Sequence, residues 1–131
     1  MAQALAISLG AALGALLRWR LAVWLNQPGA LLPWGTLAAN LAGGYLVGLA
    51  IALLQALPDL DPLWRALLVT GFLGALTTFS TFSAEVVGLL TQQRLGLALL
   101  VAGLHLAGSL GMTWLGLSTL AWLWPAAARA A

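Results

Sequence analysis

The chain has no cysteine, no lysine and a single histidine, and charged side chains make up only 6% of its 131 residues. Without cysteine there is neither a disulfide framework nor a thiolate metal site, and one histidine does not complete a metal-ligand set. The basic residues are scattered arginines, so the clustered basic face that nucleic-acid binding needs is missing. No Walker-type glycine loop is present to hold a nucleotide. The shortage of polar residues matters most. A chain that is 63% hydrophobic with a mean hydropathy of +1.03 cannot cover a soluble surface and belongs in a bilayer.

Four apolar segments, 4–25, 34–56, 63–91 and 95–124, each reach the ~20 residues a helix needs to cross ~30 Å of hydrocarbon. The connections centre on "NQPG" (26–29), "LPDLDP" (57–62) and "TQQR" (91–94), which carry turn chemistry. So little chain remains outside the spans that one all-α membrane domain over 1–131 is expected, with no soluble catalytic domain. The first segment has Arg18 and Arg20 at its far end and no basic start, which fits a retained helix better than a cleaved signal. Four spans place Arg65 and Arg129 on one side of the membrane and Arg18, Arg20 and Arg94 on the other. Orientation follows an excess of basic residues on the cytoplasmic side, and here there is hardly any excess. Two readings follow: one weakly biased topology, or copies that insert both ways and assemble antiparallel.

Polar residues recur on helical faces. Thr36, Asn40, Gly44 and Gly48 are spaced by four in the second span, and His105, Ser109 and Thr113 in the fourth. The pairs Gly44/Gly48 and Gly10/Gly14 are small-xxx-small patterns and read as helix-packing sites. Asn40 is a carboxamide at membrane depth and must find partners. It is either interhelical glue or a donor of two N–H groups to a polar path. His105 is either a satisfied core residue or part of a lining ladder with Ser109 and Thr113; metal binding by it is not expected, because no second histidine or cysteine exists.

The third span contains "GFLGALTTFSTFSAE" (71–85), where Thr77, Thr78, Ser80, Thr81 and Ser83 surround Phe79 and Phe82. β-Branched and hydroxyl side chains make this run a poor helix interior, and Gly71 and Gly74 weaken it further. Either an intact helix persists with its hydroxyls bonded to the preceding turn, or the helix unwinds where it lines a wet cavity, and freed carbonyls can then hold a cation. Phe79 and Phe82 are three apart. They read as core filler, or as ring edges presented to an anion.

The stretches "GAALGALLRW" (10–19), "GTLAANLAGGYLVG" (35–48) and "GFLGALTTFSTFSAE" resemble, in order and depth, the three signature segments of the Fluc fluoride channels. The resemblance implies an all-α integral membrane protein of a prokaryotic inner membrane. Its subunit would have four helices, the third broken at Gly74 to Thr77, and would form an antiparallel, dual-topology homodimer. It further implies two fluoride pores and a structural sodium ion held by backbone carbonyls of Gly74 and Thr77. Carried over by position, Asn40 is the pore asparagine and Phe79 and Phe82 the paired rings that meet fluoride. Thr36 and Ser83 continue the polar track, Arg18 sits near a vestibule, and Glu85 lies near a pore end. His105 and Ser109 stand where the family often has tyrosine and serine, and the histidine is a departure that leaves its role open.

The residues also define the rivals. A proton-coupled four-helix transporter needs a titratable carboxylate in its bundle, whereas Asp59, Asp61 and Glu85 all fall near span ends. An intramembrane hydrolase would need a serine in reach of His105 and a third residue to orient it, and no motif supplies them. A purely structural subunit would be silent in any flux assay. A passive pore for fluoride needs neutral donors that replace its water without trapping it, which is the chemistry these helices carry.

Overall fold

The structure is a computed structural model describing residues 1–125, all helix and connecting turns. Arg129, assigned by sequence to the side of the 57–62 loop, lies outside the described residues. Helix α1 spans Ala2–Leu25 and α2 spans Trp34–Ala56. The third crossing is composite: α3 (Pro62–Arg65), a π-helical stretch (Ala66–Leu73), α4 (Gly74–Leu76) and α5 (Phe79–Thr91). Helix α6 spans Leu95–Leu123. Taken as crossings, these are four helices long and apolar enough to traverse a membrane.

Local chemistry sets the ends. At "NQPG", Gly29 takes a positive φ of 82°, and Asn26 Oδ1 accepts the Gly35 amide at 2.6 Å, tying the first turn of α2 to the end of α1. Asp61 caps α3 by accepting the Leu63 amide at 2.8 Å, with Pro62 in the first helical position, where its missing N–H costs nothing. Trp24 and Trp34 lie at one end of the bundle, and Trp64, Trp122 and Trp124 at the other, all exposed, as in the aromatic belts of membrane interfaces.

Packing relies on close backbone contact. Lipid tails are as apolar as leucine, so helices in a bilayer associate through fit rather than through escape from water. A Cβ on Gly10 would strike the Leu67 carbonyl, and one on Gly14 the Phe72 carbonyl, so α1 lies directly against the third crossing. Likewise Gly48 faces the Thr113 carbonyl and Gly116 the Tyr45 carbonyl. Helices α2 and α6 run parallel with a constant offset: Asn40 meets His105, Gly44 meets Ser109 and Gly48 meets Thr113. The two polar stripes visible in the sequence therefore face one another.

The third crossing departs from a continuous helix in two places. The π-helical turns of Ala66–Leu73 were not legible in the sequence; they lie where Gly10, Gly14 and Gly71 let α1 approach most closely. The break falls at Thr77 and Thr78, which are extended (ψ 153° and 116°). Gly74, expected to open the break, stays helical at φ −63°, ψ −31°. Thr77 and Ser83 do bond back to the carbonyls of Leu73 and Phe79, so the hydroxyl back-bonding of an intact helix coexists with the rupture beside it.

Candidate functional site

The break is held open by Asn40. Its Oδ1 accepts the Thr78 amide at 2.7 Å and its Nδ2 donates to the Thr78 carbonyl at 3.0 Å, so one carboxamide pairs with both backbone groups of one residue. The second Nδ2 hydrogen goes to His105 Nδ1, also at 3.0 Å. Of the two roles open to Asn40, the structure shows the interhelical one: neither N–H is left free for a path. The Thr78 amide is thereby withdrawn from the Gly74 carbonyl, its partner in a continuous helix. The Thr81 amide, which would have closed on Thr77, instead binds Thr78 Oγ1 at 3.2 Å and caps α5. The carbonyls of Gly74 and Thr77 both lose their helical donors. Thr78, noted in the sequence only as a poor helix former, is thus the pivot of the site, and an asparagine whose partner is backbone on another span leaves no periodic signal.

Around this pair lies a cavity of about 320 Å³ walled by Asn40, Thr77, Thr78, Phe79, Phe82, His105 and Ser109. Phe82 is buried and stacks on the imidazole of His105, with centroids 4.7 Å apart and planes inclined by 26°. Phe79 meets Phe82 edge-on at 5.3 Å and 68°, yet is 72% exposed on the outside of the subunit. Most donors in this wall are already committed. Thr77 Oγ1 donates to the Leu73 carbonyl and Thr78 Oγ1 to Thr81 Oγ1 at 3.0 Å. His105 is 4% exposed, and its Nε2 is buried with no partner among the described residues.

The remaining sequence candidates lie on the other side of the break. Thr36 Oγ1 donates to Glu85 Oε1 at 2.6 Å, and Glu85 Oε2 is buried without a partner among the described residues, so this carboxylate is drawn under α2 rather than standing free at a span end. Arg18 is half-buried and its Nε donates to the Ala75 carbonyl at 2.9 Å, which brings a cation to the helix break itself. Arg18, Asn26, Thr36, Thr78 and Thr81 line a second cavity of about 230 Å³. Thr78 borders both cavities, so the Asn40–Thr78 pair is the partition between them. Asn26 was not singled out from the sequence; its signal was its place before "QPG". Ser83 bonds to its own helix and lines neither cavity.

The profile of the family described as "CrcB-like protein, Camphor Resistance (CrcB)" matches residues 5–117. The chain is 64% identical over 123 residues to a fluoride-specific ion channel FluC of Albidiferax ferrireducens, covering 94% of each protein. Over 113 residues it is 66% identical to a protein of the same description in Variovorax paradoxus, covering 86% of this chain and 90% of the relative. Four spanning helices and bacterial relatives of matching length make it a multi-pass protein of a prokaryotic plasma membrane. Since the similarity runs from the first helix through the break and on into the last, the chain belongs to the CrcB-like family of membrane proteins.

Proposed function

We propose that this chain is the subunit of a passive, fluoride-selective channel that lets fluoride leave the cytoplasm down its electrochemical gradient. The carrying observation is 64% identity over nearly the full length of a protein described as a fluoride-specific ion channel. Its function is transport rather than catalysis. The cavity chemistry supports the reading. Fluoride is small and strongly hydrated, so a pore must offer substitutes for water that are neither too few nor too strong. Neutral amide, hydroxyl and imidazole groups with two aromatic rings meet that need, and Arg18, the nearby cation among the described residues, is across the partition.

The working unit in this proposal is an antiparallel, dual-topology homodimer. Phe79 supports it: an aromatic ring left 72% exposed beside a row of hydroxyls is suited to cover by a second copy, which would complete the paired rings of each pore. Asn40 and Thr36 border the ion path, Arg18 and Glu85 lie at its vestibule, and Ser109 extends its polar track, which Ser83, outside both cavities of the subunit, would join only on the face that a second copy covers. A structural sodium ion suits the same break. The carbonyls of Gly74 and Thr77 are hard oxygen ligands relieved of their helical donors, and two copies would supply them in duplicate. Sodium bound there would contribute positive charge at the centre of the dimer.

Glu85 favours one alternative, a proton-coupled transporter, because Oε2 is buried and has no partner among the described residues. Purified protein in liposomes separates the two. With fluoride release followed by electrode and chloride as control, the channel reading expects fast fluoride efflux that is indifferent to collapse of the proton gradient. Vesicles as tight to fluoride as empty ones would refute it, and efflux that stops when the proton gradient is collapsed would favour the transporter.

A further inference from the structure

One group in the cavity wall has no partner among the described residues, the outward edge of His105. The position of Asn40 settles which edge carries the proton. The Thr78 amide needs an oxygen, so the carboxamide is oriented with Oδ1 toward Thr78 and Nδ2 toward His105. Nδ1 of the imidazole must then accept. A proton on Nδ1, in the other neutral tautomer or in the imidazolium, would set N–H against N–H across 3.0 Å. The neutral ring therefore carries its hydrogen on Nε2, which is buried and has no acceptor among the described residues.

We infer that His105 is held by Asn40 as a fixed Nε2–H donor, and that this donor binds the small anion in the cavity beside Phe82. The inference rests on the channel reading and adds to it the specific atom that meets the ion. An orphaned N–H in a 4% exposed side chain is rare, because buried donors almost always find partners. Its acceptor must arrive without its water, through the cavity whose wall the imidazole shares with Phe79 and Phe82. A bare halide answers that description. Stacking on Phe82 fixes the ring plane, so the donor direction is set by Asn40 on one side and an aromatic face on the other. Ser109, four residues on and in the same wall, makes no side-chain bond among the described residues and presents the next hydroxyl along the helix. The arrangement also couples the anion to the helix break, since Asn40 holds the imidazole and Thr78 with the same carboxamide.

Two substitutions divide the imidazole into its halves. In His105→Gln the amide nitrogen can occupy the Nε2 position, which keeps the donor and gives up the acceptor facing Asn40. In His105→Asn the amide oxygen can replace Nδ1, which keeps Asn40 satisfied and removes the far donor. Fluoride efflux from liposomes is expected to be about tenfold higher in the glutamine variant than in the asparagine variant, the effect of one hydrogen bond. Equal rates, or the reverse order, would overturn the inference and leave His105 as a support for Asn40. A second readout uses the fact that the chain has one histidine. In ¹⁵N spectra of the labelled unmodified protein, Nε2 should be the protonated nitrogen, and its resonance should move on addition of fluoride but not of chloride. A proton on Nδ1, or an Nε2 signal indifferent to fluoride, would refute the assignment. If the unmodified protein passes no fluoride at all, the channel reading fails, and the Nε2 resonance still decides whether the donor binds the ion.

Discussion

Asn40→Asp is the substitution that tests the site most directly, because it changes the chemistry with almost no change of shape. The carboxyl keeps an oxygen for the Thr78 amide but loses both N–H donors, those to the Thr78 carbonyl and to His105 Nδ1. Each bond is worth about 1 kcal/mol net, and a stranded buried carbonyl costs about 1–3 kcal/mol more. If the carboxyl ionises, a fixed negative charge at about 5 Å from a passing anion, at an effective dielectric near 20, opposes it by about 3 kcal/mol. Placed at the barrier, that energy slows permeation by roughly two orders of magnitude. The assay is electrode-monitored fluoride efflux from liposomes, beside thermal unfolding of the same preparation in detergent. The expected outcome is efflux at or below about one hundredth of the unmodified rate, with a melting temperature lowered by several degrees. Efflux and melting both unchanged would show that Asn40 holds neither the break nor the cavity wall.

Phe79→Ile should reduce fluoride efflux while leaving subunit stability within about 0.5 kcal/mol, because the ring is mostly exposed. Phe82→Ile should lose efflux and also about 1–3 kcal/mol of stability, because its ring is buried against His105; unchanged efflux in both would remove the rings from the path. Gly48→Val should prevent proper assembly of α2 on α6, seen as aggregation in size-exclusion chromatography, since its Cβ would meet the Thr113 carbonyl. Gly103→Ala, where a Cβ meets open space, should be neutral or stabilising by up to about 1 kcal/mol; equal tolerance at both glycines would refute the close packing. Exhaustive exchange of sodium for a large organic cation should weaken the dimer or its efflux, and indifference to every monovalent cation would remove Gly74 and Thr77 as ligands.

The four crossings were legible in the sequence because lipid imposes a simple rule, ~20 apolar residues for each crossing, and this chain obeys it without long loops. The spacing of Asn40, Gly44 and Gly48 and of His105, Ser109 and Thr113 marked two faces, and those faces meet. A break near Thr77 could be suspected from its hydroxyl-rich run. Its placement at Thr77 and Thr78 could not, because the deciding partner, Asn40, lies 38 residues away. For the same reason periodicity gave no sign that both Asn40 donors would be consumed, or that Arg18 would reach the Ala75 carbonyl from another helix. The π-helical stretch had no composition to announce it. What pattern cannot read is the pairing of a side chain with backbone on a different span.

That pairing also decides which backbone groups the break exposes, beside a cavity wall that holds no charged side chain among the described residues. A helix broken in mid-span has two new ends. The preceding run, closing at Leu76, presents carbonyls, and α5, opening at Phe79, presents first-turn amides that have no partner within their own helix. Carbonyls suit a cation and amides an anion. A break of this kind is tolerated at membrane depth only where the exposed groups find partners or line a cavity, and here several are assigned: Asn40 to both groups of Thr78, Arg18 to Ala75, and the Thr78 hydroxyl to the Thr81 amide. A carboxamide is the smallest side chain that can donate and accept at once in this geometry. An ionised aspartate at this position could only accept. A leucine would leave Thr78 to rejoin the helix and close the carbonyls of Gly74 and Thr77. The same carboxamide thus holds both the extended Thr78 and the imidazole of His105, so a change at Asn40 cannot affect one without the other.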